Sequence, residues 1–253
     1  LMLISFVPQV GVLLAAIGRG WSLTPVPLEY TLEFFRQVSF ETPKFIINSL
    51  VFCAIAVALC IAIGVPMAWI MARTKAPGRG AMDALTTLML AIPGTAVGIA
   101  FVRAFNFQLP FSEESLTSLW IILPLVLAVR RLPYTVRGSY SSLLLVHKSM
   151  EEAAESVGAT KLRTFRDITV PLVWKGIFVG ALFSFITSIQ EASSTIFLTL
   201  GGNEMIPFGI FTFYIAGSQS QAAALGVILI VLCAVSLFIV NRIAGTRVGG
   251  LFG

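Results

Sequence analysis

Long apolar runs alternate with short polar segments along most of the chain. A helix needs roughly 20 consecutive apolar residues to span a bilayer core, and several of the runs reach that length. The pattern therefore predicts an all-α integral membrane protein with about six transmembrane helices. The predicted spans are Met2–Ile17, which is short, Phe45–Ala72, Ala81–Phe105, a fourth from near Leu116 to Arg130 and Arg131, Trp174–Leu200 and Ala222–Val240.

The pattern divides the chain into two regions. Residues 1–43 hold the first span and a polar external connection from Gly18 to Pro43, with a short surface helix predicted around residues 30–38. Residues 44–253 hold the main transmembrane domain, which includes a polar and charged segment at 149–171. Because the chain opens inside an apolar run, we expect it to be the trailing part of a longer protein.

Three segments interrupt the apolar pattern. Gly64 and Pro66 are expected to kink the second span. Pro93 and Gly94 interrupt the third span and predict either a gating hinge or a packing kink. The glycine-rich loop Gly201–Gln221 is expected to shape an outer gate or to form a re-entrant packing segment.

The polar segment at 149–171 has the signals of two short helices. Ser149 and Glu152 have the spacing of a capping box, which predicts a helix start. Gly158 is expected to end this helix in a left-handed conformation. A second short helix is predicted from about Lys161, and Pro171 is expected to close the unit. The apolar faces are predicted to consist of Ala153, Ala154 and Val157 in the first helix and Leu162, Phe165 and Ile168 in the second.

The spacing within this segment resembles the EAA signature of permeases in bacterial importers of the ATP-binding-cassette (ABC) class. The one departure is Val170, where the family usually has leucine, and an apolar exchange of similar volume changes little. The matching residues are Glu152, Ala153, Ala154, Gly158, Ile168 and Pro171.

The resemblance implies a type I ABC importer permease fold whose cytoplasmic coupling helices dock into a groove on an ATPase. It also implies two ATPase subunits, a second permease half or copy, and an extracytoplasmic solute-binding protein as partners. The alternative is an ordinary amphipathic hairpin between spans. The coupling residues implied by the resemblance are Glu152, Ala153, Ala154, Gly158, Leu162, Phe165, Ile168 and Pro171.

Composition and charge agree with a membrane location. The chain is 57% hydrophobic and 11% charged over 253 residues, which argues against a soluble enzyme. If six spans alternate sides, one face holds thirteen of the seventeen Lys and Arg residues. The positive-inside rule then puts the EAA-like loop and both termini in the cytoplasm, as expected for a multi-pass inner-membrane protein. This asymmetry explains the net charge of +5 without nucleic acid. The four basic residues of the other face are Arg19, Arg36, Lys44 and Arg103.

Few residues inside the predicted spans have polar or charged side chains that could take part in transport. Glu191 is predicted to lie well inside the fifth span, where a carboxylate costs about 2.5–3.5 kcal/mol. We expect it to line the translocation pathway with Gln190 and Ser194, or to form a structural hydrogen bond between helices. Arg103 is expected to reach the outer headgroups, or to pair with Glu191 or an anionic solute.

Three further residues are interpreted as surface residues. Arg130 and Arg131 are expected to anchor the inner membrane surface, and His147 to be solvated. The cysteines lie in apolar runs without the spacing of metal ligands, so no metal site is expected. No Walker-type loop is present, so ATP and Mg are expected to be used by the partner ATPase, and no cofactor by this chain.

Two stretches resemble the ferric-iron branch of the family, in which two permease halves are often fused. They are Arg130–Arg137 and Gln190–Thr195. Iron(III) is therefore the first candidate solute, followed by phosphonate or sugar phosphate, and then polyamine. The rivals from other classes are a secondary transporter or channel that needs no ATPase, and an integral membrane enzyme, for which we find no catalytic constellation.

Overall fold

The computed structural model describes residues 6–21, 26–108 and 115–244, and most of this part of the chain is helical. The start of the predicted first span, at residues 2–5, and the tail at 245–253 lie outside the described residues. The helices are α1 (Val7–Ile17), α2 (Glu33–Arg36), α3 (Lys44–Arg73), α4 (Arg79–Ala91), α5 (Gly94–Phe105), α6 (Ile122–Leu145), α7 (Ser149–Ser156), α8 (Lys161–Thr164), α9 (Val170–Ile189), α10 (Ile206–Ile215) and α11 (Gln219–Ala244).

Short turns and one small hairpin complete the architecture. Strands β1 (Gly18–Arg19) and β2 (Glu29–Tyr30) pair antiparallel, with Gly18 opposite Tyr30. The predicted surface helix around residues 30–38 is α2 followed by a π turn. The turns of π and 3₁₀ geometry are Gln37–Glu41, Leu116–Ser118, Phe165–Thr169 and Thr195–Phe197.

Three described helical segments are long and apolar enough to cross a membrane, namely Lys44–Arg73, Lys161–Ile189 and Gln219–Ile243. They confirm helical spans at the predicted second, fifth and sixth positions. The pair α4 and α5 makes a fourth if it is counted as one span. Helix α6 is 24 residues long but has charged residues in its middle. The total of six spans therefore stays a prediction.

The proline positions differ in their effect. Helix α3 runs for 30 residues with Pro66 inside it. At Pro93 the helix is interrupted, and the axes of α4 and α5 differ in direction by 111°. Ile92 before the proline is extended, with φ −75° and ψ 128°, because the proline ring disfavours the helical conformation of the preceding residue. The predicted third span is thus two helices that meet at a sharp angle.

Two predicted span boundaries are wrong. The fourth predicted span corresponds to α6, which begins at Ile122 and continues to Leu145. Arg130 and Arg131 therefore lie in the middle of this helix rather than at its end. The fifth predicted span corresponds to the helical segment that begins at Lys161 and ends at Ile189. Pro171 therefore does not close the polar segment. It lies in the first turn of α9, where a missing N–H group is tolerated.

The core forms where α6 packs between α3 and α9. Phe52 and Cys53 of α3, Leu123 and Leu127 of α6 and Ile189 of α9 are buried in one apolar cluster. As expected, Cys53 is a small buried residue. This packing holds the middle of α6 against the end of α9.

Glycines allow α6 and α9 to approach each other closely. A Cβ atom on Gly138 would lie 2.8 Å from the carbonyl oxygen of Gly176 and 2.9 Å from the Cα atom of Gly180. Small residues at helix crossings let backbones touch, which is how membrane helices gain packing energy. The crossing fixes α6 and α9 relative to each other.

Candidate functional site

The segment that resembles the EAA signature folds as two short helices joined by a glycine turn. Helix α7 ends in a turn where Gly158 has φ +92°, a left-handed conformation that favours glycine. Helix α8 follows, and its first turn is capped by Thr160, whose Oγ1 accepts a hydrogen bond from the Arg163 N–H at 3.3 Å. The predicted order of helix, glycine turn and helix is confirmed.

The predicted capping box is wrong. Lys148 precedes the helix with helical backbone angles, and no side chain caps α7. Ser149 is consequently inside the first turn, and its Oγ pairs with the exposed His147 at Nδ1, 2.8 Å away. Glu152 forms an exposed ion pair with Lys148 at 3.1 Å. The first helix thus starts without the side-chain cap expected from its sequence.

One side of the two-helix segment exposes apolar residues. Val157 is 87% exposed and Leu162 is 77% exposed, and Met150 also lies in the open. Ala153 is exposed, whereas Ala154 is buried against the rest of the protein. These side chains form an apolar surface around the glycine turn, here called the loop surface and defined as Met150, Ala153, Val157, Gly158 and Leu162.

The predicted apolar stripe of the second helix does not stay on one face. Phe165 packs edge to face on Trp69 of α3, with 5.7 Å between the ring centroids. Ile168 is half-buried, while Leu162 points away from the protein. The π turn at Phe165–Thr169 changes the helical phase here. Leu162 therefore belongs to the loop surface, and Phe165 attaches the segment to α3.

A buried ion pair makes a second attachment. Arg73, the last residue of α3, donates from Nε to Glu151 Oε1 at 2.9 Å. Its Nη2 donates to the carbonyl oxygen of Val146 at 2.7 Å, just after α6 ends. One guanidinium group thus joins the ends of two long helices to the first turn of α7.

A second polar cluster, the Glu191 cluster, is buried at the far end of α9. Glu191 lies just after the helix end at Ile189, not well inside the span as predicted. Its side chain is 3% exposed. Its carboxylate accepts hydrogen bonds from Ser193 Oγ at 2.5 Å and from the Ser194 N–H at 3.1 Å.

Two arginines of α6 complete the Glu191 cluster. Arg131 Nη2 donates to Glu191 Oε2, and Arg130 Nη2 lies 3.5 Å from the same oxygen. The interpretation of Arg130 and Arg131 as anchors at the inner membrane surface is therefore wrong. Their charges are tolerated in the middle of α6 because Glu191 supplies a counter-charge.

The other residues predicted to line the pathway lie in different places. Ser194 is fully buried beside Glu191. Gln190 is exposed and donates to Cys233 Sγ at 3.0 Å, so it faces α11 instead. Arg103 is exposed near the end of α5. Among the described residues, the ion-pair partners of Glu191 are Arg130 and Arg131, so the alternative pair of Arg103 with Glu191 is wrong.

The broken helix at Pro93 contacts the Glu191 cluster. A Cβ atom on Gly94 would overlap Ser193 and the Nη1 atom of Arg130. A Cβ atom on Gly98 would lie 2.6 Å from the carbonyl oxygen of Ser194. The start of α5 is therefore packed directly on the cluster, and only glycine leaves room for this approach.

Residues 64–248 match the model of the family described as "Binding-protein-dependent transport system inner membrane component". This match covers more than half of the chain. The chain belongs to this family. It is therefore a membrane component of a transport system, that is, a permease.

Several relatives of this permease have named transport systems. It is 31% identical to the molybdenum transport system permease protein ModB of Escherichia coli K12 over 218 residues, covering 81% of this chain and 95% of the relative. It is 28% identical to the sulfate transport system permease protein CysT of Salmonella typhimurium over 201 residues, with coverages of 74% and 72%.

A third relative is the ferric transport system permease protein FbpB of Actinobacillus pleuropneumoniae. It is 28% identical over 233 residues, which cover 92% of this chain and 33% of the relative. The permease thus spans about a third of the length of this relative. The named relatives differ in their solutes, so family membership leaves the solute of this permease open.

Solved structures agree on the fold. The permease matches a bacterial alginate ABC transporter, solved with an alginate-bound periplasmic protein, at a TM-score of 0.70 and 15% identity, over 96% of this chain and 91% of that one. It matches the MetNI methionine ABC transporter at a TM-score of 0.61 and 18% identity, over 80% and 95%. The fold is that of a type I ABC importer permease, as the EAA-like motif implied.

In the loop segment, sequence reasoning missed three residues that attach or cap its helices. Arg73 and Glu151 were not singled out, although a charged residue at the end of an apolar span followed by an acidic loop helix is a usable signal for an ion pair. Thr160 was also missed, although threonine three residues before Arg163 is an ordinary helix cap.

Proposed function

We propose that this chain is the membrane-spanning permease of an ATP-driven importer in the bacterial inner membrane. The loop surface docks on a cytoplasmic ATPase, which uses ATP and Mg. The observation that carries this proposal is an exposed apolar surface on a small segment that is held rigidly to the spans. Val157 is 87% exposed and lies next to the other apolar residues of the loop surface, and a contiguous exposed apolar surface is typical of an interaction site.

The attachments of the segment suit force transmission. The Arg73–Glu151 ion pair and the Phe165–Trp69 contact join it to α3, while α8 continues into α9. A movement imposed on the loop surface by the ATPase would thus reach two long helices at once. The charge asymmetry of the sequence supports a cytoplasmic position for this loop and for both termini.

The remaining partners are those of an importer. We propose a second permease half or copy and an extracytoplasmic solute-binding protein, besides two ATPase subunits and the lipid bilayer. The transported solute is a small inorganic ion. Iron(III) is favoured by the stretches that resemble the ferric branch and by the ferric relative, while sulfate and molybdenum appear in the names of other relatives. The Glu191 cluster, with Ser194, is proposed to lie on the pathway.

The docking role is tested by changing the glycine turn. Gly158→Asp strains a left-handed residue whose surroundings are open, and it adds a charge to the loop surface. Gly217→Asp is the matched control, because Gly217 also has a positive φ of 78° and open space but lies between α10 and α11. We expect Gly158→Asp to insert into the membrane but to lose ATPase co-purification and ATP-driven uptake, while Gly217→Asp keeps both.

The same experiment distinguishes an ATP-driven importer from a secondary transporter. A secondary transporter that needs no ATPase would show uptake that is independent of ATP and equal in the two variants. Equal ATPase co-purification by Gly158→Asp and wild-type protein would end the docking proposal.

A further inference from the structure

The Glu191 cluster contains more positive charge than its one carboxylate can balance. Arg130 and Arg131 are both in contact with Glu191 Oε2. The same carboxylate also accepts from Ser193 and from the backbone of Ser194. A carboxylate has about four acceptor positions, so these contacts leave little capacity for the other guanidinium N–H groups.

Several guanidinium donors are left without partners. The Nε and Nη1 atoms of Arg130 and the Nε atom of Arg131 are buried and have no hydrogen-bond partner among the described residues. Guanidinium nitrogens can only donate. A buried charged donor without an acceptor is strongly unfavourable. Two guanidinium groups face one carboxylate here, so a group that brings both acceptor atoms and negative charge would satisfy the donors and balance the charge, which a metal cation would not.

The broken helix adds positive potential at the same place. Gly94, the first residue of the 12-residue helix α5, lies so close to Arg130 Nη1 that a Cβ atom there would overlap it. The first turn of a helix has free N–H groups and a partial positive charge. A guanidinium group packed against this end is repelled by it, so an anion that contacts both groups would be stabilised by both.

We propose that Arg130, Arg131 and the first turn of α5 form a binding site for a small oxyanion. The proposal deepens the proposed function, on which it rests, by naming the class of transported solute, and it puts an oxyanion in place of the iron(III) that the sequence resemblance favours. Guanidinium groups bind oxyanions with paired N–H donors. A tetrahedral dianion without a proton suits the site best, because every unpaired guanidinium atom is a donor. Glu191 is the internal counter-charge that holds Arg131 when no oxyanion is bound.

The site is nearly closed, so entry of an anion requires movement. The side chains of Arg130 and Arg131 are 11% and 13% exposed. The start of α5 covers Arg130 and is joined to α4 only through the bend at Pro93. Separation of Gly94 from Arg130 would open the donors to the pathway, and its return would close them.

The experiment measures binding of sulfate and molybdate to this 253-residue chain in neutral detergent without nucleotide. We expect a saturable rise of the thermal unfolding midpoint with at least one of these oxyanions, and no rise with chloride at equal ionic strength or with iron(III). A rise with iron(III) and none with either oxyanion would overturn the proposal.

Two variants locate the site. Arg130→Gln removes the donors and should weaken oxyanion binding by about tenfold or more, as expected for the loss of a charged hydrogen bond. Arg137→Gln is the matched control, since Arg137 is an exposed arginine of the same helix that pairs with Asp83. It should bind the oxyanion like the wild-type protein.

Gly94→Ala tests the same site without changing any charge. Its Cβ would occupy the space beside Arg130 Nη1, so oxyanion binding should weaken, whereas Gly80→Ala, with open space around it, should have no effect. If Arg130→Gln does not fold, Gly94→Ala carries the test. Wild-type binding by Gly94→Ala together with wild-type binding by any folded Arg130→Gln would place the anion elsewhere and overturn the proposal.

Failure of this proposal is distinguishable from failure of the proposed function. ATP-driven uptake that depends on the loop surface, in a protein that binds neither oxyanion, would leave the importer intact and remove the oxyanion site. Oxyanion binding in a protein that associates with no ATPase would do the reverse.

Discussion

Arg73 Nε and Glu151 Oε1 are 2.9 Å apart, and the two side chains are only 9% and 8% exposed. This pair joins the last residue of a 30-residue helix to the first turn of the helix that carries the exposed Met150 and Ala153. Burial of both charges makes the pair sensitive to loss of either partner, because the remaining charge stays buried and unpaired. The pair is therefore a specific point at which the loop segment is fixed to the spans.

Glu151→Gln keeps the shape of the side chain and removes its charge. We expect it to lower the free energy of unfolding by about 3–5 kcal/mol, the cost of breaking a buried pair. The matched control is Glu152→Gln, which breaks the exposed pair with Lys148 and should cost less than about 1 kcal/mol. Thermal or denaturant unfolding in detergent compares them. Equal effects of the two variants would show that burial of the Arg73–Glu151 pair has no energetic role.

The crossing of α6 and α9 gives a second prediction. A Cβ atom on Gly180 would lie 2.8 Å from the carbonyl oxygen of Tyr134 and 3.0 Å from the Cα atom of Thr135. Both neighbours are backbone atoms, so the helices must separate to admit it. We expect Gly180→Ala to destabilise the protein by about 1–3 kcal/mol.

The control for this crossing is Gly226→Ala in α11. There an added Cβ meets only the Cγ1 atom of Val12 at 3.4 Å, so the variant should be neutral or more stable, by up to about 1 kcal/mol from helix propensity. The measurement is the unfolding midpoint of each variant compared with that of the wild-type protein. A stable Gly180→Ala protein would mean that the crossing is looser than described.

The sidedness of the loops gives a third prediction. Cysteines introduced at the exposed positions Lys75 and Glu155 should react with a membrane-impermeant thiol reagent only from the cytoplasm, and one at Gly201 only from outside. Native Cys53, Cys60 and Cys233 are replaced first, since Cys233 is only half-buried. Labelling of Glu155→Cys and Gly201→Cys from the same side would contradict the alternation of spans and the orientation derived from the charges.

Local signals predicted the parts of the fold that depend on neighbouring residues. Long apolar runs were sufficient for α3 and α11, because the bilayer sets helix length directly. The spacing of the EAA-like motif correctly placed the left-handed turn at Gly158. Proline at position 93 predicted an interruption, but the 111° bend depends on what α5 packs against.

The Glu191 cluster could not be predicted in this way. Arg130 and Arg131 have the sequence appearance of charges at a membrane surface, and their counter-charge lies 60 residues away from Arg131 along the chain. Only the packing of α6 against α9 brings the three side chains together. The capping box was wrongly predicted for a local reason. The backbone of Lys148 is already helical, so Ser149 lies inside the first turn and not at the capping position.

The π turn at Phe165–Thr169 keeps Lys161–Ile189 a single helical segment of 29 residues. At 1.5 Å per residue this segment is about 43 Å long, with Leu162 of the loop surface near one end and Glu191 just beyond the other. The close crossing at Gly176 and Gly180 lies roughly 16 Å from Glu191, so rotation of α9 about this crossing by about 15° moves Glu191 by about 4 Å, more than the length of a hydrogen bond. Such a rotation, driven from the loop surface, would pull Glu191 away from its two arginines.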